Sequence, residues 1–184
     1  MENNILSGLS FKRLTDNQII KSFDCEDEDL NDFLFNKAII YRKELLATTF
    51  IVESQERTLG YYSVLNDNLQ LKEEDFISKT KYKKLLQDLL PYPKRHLKSL
   101  PSVKIGRLAI DKTFKGKGLG RIFINTIVSN CLRLNNEQAC RLITVDAYRG
   151  ALPFYERLNF EYLTEKDKDD DIRQMFLDLT TFDS

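Results

Sequence analysis

Two groups of residues have types and spacing that could do chemistry. The first is Lys115-Gly116-Lys117-Gly118-Leu119-Gly120-Arg121, between a strand pattern and a helix pattern. Glycine takes positive φ without a Cβ penalty and lets the backbone approach a ligand closely. A helix that follows such a loop offers free N–H groups and a positive dipole end. Lys115, Lys117 and Arg121 add three cations, so the stretch reads as a cradle for a phosphate-bearing ligand. The spacing G-x-G-x-G is neither the GxxxxGK[ST] of a nucleotide-triphosphate loop nor the GxGxxG of a dinucleotide fold, which argues against ATP and NAD. The second group is Tyr155 with Glu156 in ALPFYERLNF, a phenol that is protonated at pH 7 followed by a carboxylate.

Other chemistry is poorly supported. The three cysteines, Cys25, Cys131 and Cys140, form no CxxC pair, and His96 is the sole histidine. Neither a disulfide framework nor a Cys/His metal site is expected. His96 sits in KRHLK and reads as an exposed loop residue. The acids Asp24, Glu26, Asp27, Glu28, Asp29 and Asp32 read as an acid-capped surface helix rather than metal ligands.

The positioning elements follow from the hydrophobic pattern. Ser10–Thr15 reads as a short edge strand. Leu30, Phe33, Leu34, Ala38, Tyr41 and Leu45 recur at helical spacing. Ala47–Glu53 and Leu59–Leu65 make a hairpin across the polar SQERT. Glu73–Leu90 is a helix that Pro91 and Pro93 end. Val103–Asp111 is the strand before the glycine loop, and Leu119–Leu132 the helix after it. Arg141–Ala147 is a strand and Ala151–Leu158 a short helix with Pro153 in its first turn. Phe160–Leu163 and Ile172–Leu179 close the chain as paired strands. The expected fold is α/β (α+β), with a mixed sheet of about six to seven strands and helices on both faces.

At 184 residues, with 42% hydrophobic and 30% charged residues, the chain suits one globular domain, residues 1–184. Twenty-eight Lys+Arg balance 28 Asp+Glu, which argues against a wholly basic nucleic-acid binder. Charge is nonetheless uneven. Residues 79–104 hold eight Lys/Arg against Asp88 alone, a net of +7, and residues 112–121 add four cations and no acid. No apolar run is long enough to span a membrane, and the N-terminus lacks a signal-peptide pattern, so a cytoplasmic protein is expected.

The run GRLAIDKTFKGKGLG followed by a helix resembles the acetyl-CoA-binding motif of the GNAT acetyltransferase superfamily, Arg/Gln-x-x-Gly-x-Gly/Ala. Here it reads Lys115-x-x-Gly118-x-Gly120. ALPFYERLNF resembles the family's A-x-x-FYE-x-x-GF segment, with Asn159 in place of Gly, and Tyr148 stands where Asn is frequent. The resemblance implies backbone contacts to pantetheine from Leu108, Ala109 and Ile110. It implies pyrophosphate on Lys115, Gly116, Lys117, Gly118, Leu119, Gly120 and Arg121, and Tyr155 as the acid that protonates the leaving thiolate. The implied reaction is acetyl transfer from acetyl-CoA, without a metal, to a primary amine. FDCEDEDLNDFL, ATTFIVE and GYYSVL are similar to segments of the toxin-type members. Those acetylate aminoacyl-tRNA and are held inactive by a small DNA-binding antitoxin. That likeness implies tRNA and an antitoxin as partners; a second copy of the chain is a further expected partner, and no membrane is expected from the short apolar runs. A non-catalytic CoA-binding protein is the alternative from a different class.

Overall fold

The computed structural model describes residues 11–92 and 99–182. Seven strands form one sheet in the order β1-β2-β3-β4-β5-β7-β6. They are β1 (Phe11–Arg13), β2 (Thr48–Glu53), β3 (Thr58–Gln70), β4 (Ser99–Ile110), β5 (Leu142–Tyr148), β6 (Glu161–Tyr162) and β7 (Ile172–Asp178). The helices are α1 (Glu28–Asp32), α2 (Ala38–Lys43), α3 (Lys79–Leu89), α4 (Leu119–Leu134) and α5 (Leu152–Glu156). The fold is the expected mixed α/β one. His96, Lys94, Arg95 and Lys98 lie outside the described residues.

The chain divides into two compact units, residues up to 65 with 105–127, and residues 66–104 with 128 onward. In the first, β2 pairs antiparallel with β1 and with β3, and the second half of β4 continues the sheet beside β3. Its core gathers Leu14, Phe23, Phe33, Leu34, Ala38, Ile51, Tyr61 and Ala109. The alternation of β2 is what turns Ile51 inward. Tyr61 is fully buried, and its hydroxyl donates to the Leu30 carbonyl at 2.7 Å. Burial without that acceptor would leave an unmet donor. Asp27 caps α1 through the Leu30 amide at 3.0 Å, so the acids of the first turn are Glu28 and Asp29. Between α1 and α2, Phe33–Lys37 forms a π-helical turn.

In the second unit, β7 pairs antiparallel with β5 and β6. Arg141 clamps Asp178 with two bonds of 2.9 and 2.7 Å across the β5–β7 end. The core holds Leu69, Leu71, Phe76, Leu89, Leu100, Leu142, Leu163 and Phe176. Several boundaries differ from the expected ones. Strand β3 runs on to Gln70, and β4 begins at Ser99. The helix expected over Glu73–Leu90 is a 3-10 turn at Glu73–Asp75, an extended Phe76, and then α3, which Ser78 caps through the Lys81 amide. Leu90, ahead of Pro91, is already extended at φ −122°, ψ 128°, as a residue before proline prefers.

Candidate active site

All the residues predicted to hold acetyl-CoA, Leu108–Ile110 and Lys115–Arg121, belong to the first unit. Strand β4 leads into them with Ala109 buried and Leu108 and Ile110 half-buried. Gly60 on β3 lets this strand end come close. A Cβ there would lie 2.9 Å from the Ala109 carbonyl oxygen and 3.0 Å from both Ile110 Cδ1 and the Phe123 ring. Strand β3, the end of β4 and the first turns of α4 are therefore packed to a distance only glycine permits.

The loop itself is a tight turn. The amides of Phe114 and Lys115 both donate to the Asp111 carbonyl, at 2.8 and 3.1 Å. Gly116 and Gly118 take φ of 77° and 83°, values a side chain strongly disfavours. The space around both is open, so a methyl at Gly118 would be strained by its backbone and not by a clash. Helix α4 then begins at Leu119, with the Ile122 amide donating to the Gly118 carbonyl at 3.2 Å. The first N–H groups of α4 have no acceptor within the helix. They open at the left-handed glycines, which is the geometry that cradles a phosphate. Lys117 lies over the Phe114 ring at 4.5 Å, and Arg121 is exposed.

Sequence reasoning missed the group that holds this loop. The Asp111 carboxylate has no exposed surface. It accepts from the Thr113 hydroxyl at 2.5 Å, the Thr113 amide at 3.0 Å, Arg57 Nη1 at 3.0 Å and the Asp24 amide at 3.1 Å. Burial alone would raise its pKa. The two Thr113 donors, the Asp24 amide and Arg57 outweigh burial and hold it below the ordinary carboxylate value. Asp24 and Glu26, expected within a helix start, instead brace the loop. Lys112 Nζ donates to Asp24 at 2.8 Å, and the Lys112 amide to the Asp24 carbonyl at 2.8 Å. Lys115 Nζ donates to the Cys25 carbonyl at 2.8 Å and to Glu26 at 2.9 Å. The Lys112 and Asn31 side chains and the Glu26 amide hold the Asp24 carboxyl far below its usual value. The one available signal was the dense acid run itself, which looks the same whether it caps a helix or meets lysines about ninety positions on.

Tyr155 and its neighbours belong to the second unit. Tyr155 is buried on α5, edge-on to Phe154 and Phe160 with ring centroids 5.0 and 5.2 Å apart. Desolvation pushes its pKa well above the ordinary phenol value, so it is protonated throughout the physiological range. Pro153 lies in the first turn of α5, and Asn159 takes the left-handed φ of 64° expected where the family has glycine. Glu156 is occupied: it accepts from the Tyr162 hydroxyl at 2.7 Å. Tyr162 is also covered by Arg173, 3.7 Å from the ring centre. Tyr148 ends β5 and is exposed. Among the described residues no cluster of three or more His, Cys, Asp or Glu could hold a metal ion. No helix among them is long and apolar enough to cross a membrane.

Residues 96–179 match the acetyltransferase (GNAT) domain, and with the relatives that follow this match supports an N-acetyltransferase. Its relatives include a tRNA-acetylating toxin of Mycobacterium tuberculosis, 23% identical over 158 residues, which cover 85% of this chain and 87% of that one. Among solved structures it is similar to AtaT complexed with acetyl-methionyl-tRNAfMet (TM-score 0.73, 25% identity, 95% of this chain and 97% of the other). It is also similar to AtaTR bound with AcCoA (TM-score 0.72, 26% identity, 95% and 96%).

Proposed function

We propose that the protein transfers the acetyl group of acetyl-CoA to the α-amino group of aminoacyl-tRNA. The observation that carries the donor half is the backbone of Gly116 and Gly118, which opens the first turn of α4 to a pyrophosphate. Lys117 and Arg121 add charge there, and the backbone of Leu108–Ile110 lies along the pantetheine. The neutral amine attacks the thioester carbonyl directly. A β4 amide donates to the oxyanion as it forms. Carbon–sulfur cleavage releases a thiolate, which takes the Tyr155 proton, and the proton lost by the attacking nitrogen as it becomes an amide restores the phenol, directly or through solvent. GNAT-type enzymes use acetyl-CoA, and no metal is needed for these steps.

The acceptor rests on the relatives, over nearly the whole chain, and on two features of this molecule. Its one carboxylate next to Tyr155 is tied up by Tyr162. An α-amine near pKa 7.7 is partly neutral at physiological pH and needs less help than a lysine near 10.4. Helix α3 also presents Lys81, Lys83 and Lys84 on its exposed surface, suited to a nucleic-acid backbone. AtaT, one of these relatives, is also known bound to the C-terminus of the antitoxin AtaR, which extends the proposal to an antitoxin as a protein partner.

The test is transfer from labelled acetyl-CoA to a charged tRNA pool, with polyamines and small amines in parallel. Label that alkali releases from tRNA as an N-acetyl amino acid supports the proposal. Label confined to small amines overturns the acceptor and leaves the donor half standing.

A further inference from the structure

Resting on the acetyl-CoA reading above, we propose that Lys115 is a positioning residue. It straps the glycine loop to Asp24–Glu26, and the phosphates are met by the α4 amides with Lys117 and Arg121. Sequence alone counts Lys115 among the phosphate cations. The structure spends it otherwise. An ammonium has three N–H donors, and two of the three are engaged, on the Cys25 carbonyl at 2.8 Å and on Glu26 Oε2 at 2.9 Å. One of those partners is a neutral backbone carbonyl, which is a tether and not a charge partner.

The receiving segment is itself held. Glu26 sits at φ 66°, a conformation that costs a non-glycine residue free energy and persists where surrounding bonds impose it. Its amide donates to Asp24 Oδ1 at 2.9 Å, and Asn31 Nδ2 donates to the same oxygen at 3.1 Å. Three further bonds join Asp24 to the loop's stem: its amide to Asp111, its carbonyl to the Lys112 amide, and its carboxylate to Lys112 Nζ. Lys115 adds the last fastening, immediately before Gly116. The turn is thereby set before the cosubstrate arrives, which lowers the ordering cost of binding.

A strap and a competing anion predict opposite signs for one variant. If Glu26 only competed with phosphate for Lys115, Glu26→Gln would tighten CoA binding. If Glu26 anchors the strap, Glu26→Gln weakens it. Calorimetric titration of CoA into the full chain should show Glu26→Gln and Lys115→Met each weakening binding about five-fold, the worth of one such bond. The double variant should be no weaker than the worse single one. Lys115→Arg, which can donate to both partners, should restore binding. In turnover the loss should fall on the KM for acetyl-CoA, with kcat unchanged. Arg121→Gln, by contrast, should flatten the dependence of CoA affinity on salt, and Lys115→Met should leave that dependence intact. Tighter binding in Glu26→Gln, or a flattened salt dependence in Lys115→Met, overturns the proposal. Amide exchange in the protein without CoA separates the two readings. Exchange at residues 112–118 should quicken in both single variants, and unchanged exchange overturns the strap whether or not CoA binds. Wild-type protein that binds no CoA refutes the acetyl-CoA reading instead.

Discussion

Replacing Asp111 by Asn keeps the shape of a side chain that has no exposed surface and removes its charge. Four donors converge on that carboxylate, from Thr113 twice, Arg57 and Asp24. An amide presents an NH2 group where at least one of those donors already points, and it leaves Arg57 without its anion. Breaking a buried ion pair from one side costs ~3–5 kcal/mol. Arg57 keeps a third of its side chain in water, so the lower end applies, about 3 kcal/mol. For a chain of this size each kcal/mol is worth ~2–4 °C, so the midpoint should fall by roughly 6–12 °C at pH 7. Circular dichroism melts of the two proteins measure it. The dependence on pH carries a second check. The folded-state pKa of Asp111 is depressed, so its contribution is present above the usual Asp value of ~3.9 and is lost as pH falls below it. The gap between wild type and variant should narrow in acid. A shift under about 2 °C at neutral pH, or a gap that widens in acid, would refute the reasoning that this carboxylate is ionised and fully bonded.

Tyr155→Phe should keep the ring contacts to Phe154 and Phe160 and the melting midpoint, while kcat falls ~100-fold or more, the usual worth of a positioned acid; unchanged turnover near neutral pH removes Tyr155 from the mechanism. Gly60→Ala forces a methyl against the Ala109 carbonyl and the Phe123 ring, and overpacking of ~1–3 kcal/mol should lower the midpoint by roughly 2–12 °C in a thermal melt. Cys140 is half-buried, and a hydrogen bond from Cys131 lowers its pKa; the same bond raises the buried Cys131, and burial raises Cys25. Iodoacetamide at pH 7.5 should therefore alkylate Cys140 first, read by peptide mass; first labelling at Cys25 contradicts this. Neutralising Lys81, Lys83 and Lys84 together should slow acetylation of charged tRNA several-fold at low salt and leave a small amine acceptor untouched, since only the polyanion uses those charges; equal loss on both acceptors argues against a tRNA-facing α3.

What was legible in the sequence was local. The order of elements, the glycine turn and the left-handed Asn159 each depend on neighbouring residues, and single positions such as Gly118 or Pro153 announce them. The extension of β3 to Gln70 was not legible, because NDN at Asn66–Asn68 reads as a turn. In the sheet those residues are strand, and Asp67 accepts from the Thr144 hydroxyl on β5 at 3.0 Å. The break before α3 was hidden for a related reason. The apolar positions Leu85, Leu86, Leu89 and Leu90 keep a helical period, yet Phe76 ahead of them is extended and Ser78 starts the helix as a cap. The strap was invisible because its partners lie about ninety residues apart, and no periodicity links them.

The charge arithmetic shows the same limit in another form. A net charge of zero describes a sum, and function depends on which charges are already answered. Lys79, Lys104, Lys112 and Lys115 are each paired with an acid, Glu73, Asp146, Asp24 and Glu26 respectively. Lys81, Lys83, Lys84 and Arg121 have no such partner within reach among the described residues, while Lys117 rests on a ring face. The basic stretches of the sequence thus divide into cations that hold the structure and cations left for a ligand. The glycine loop contains both kinds six positions apart, at Lys115 and Arg121. A motif with Arg or Gln at its first position and glycines after it is met here by a fastening and a cradle, and only the second is expected to feel the phosphate's charge.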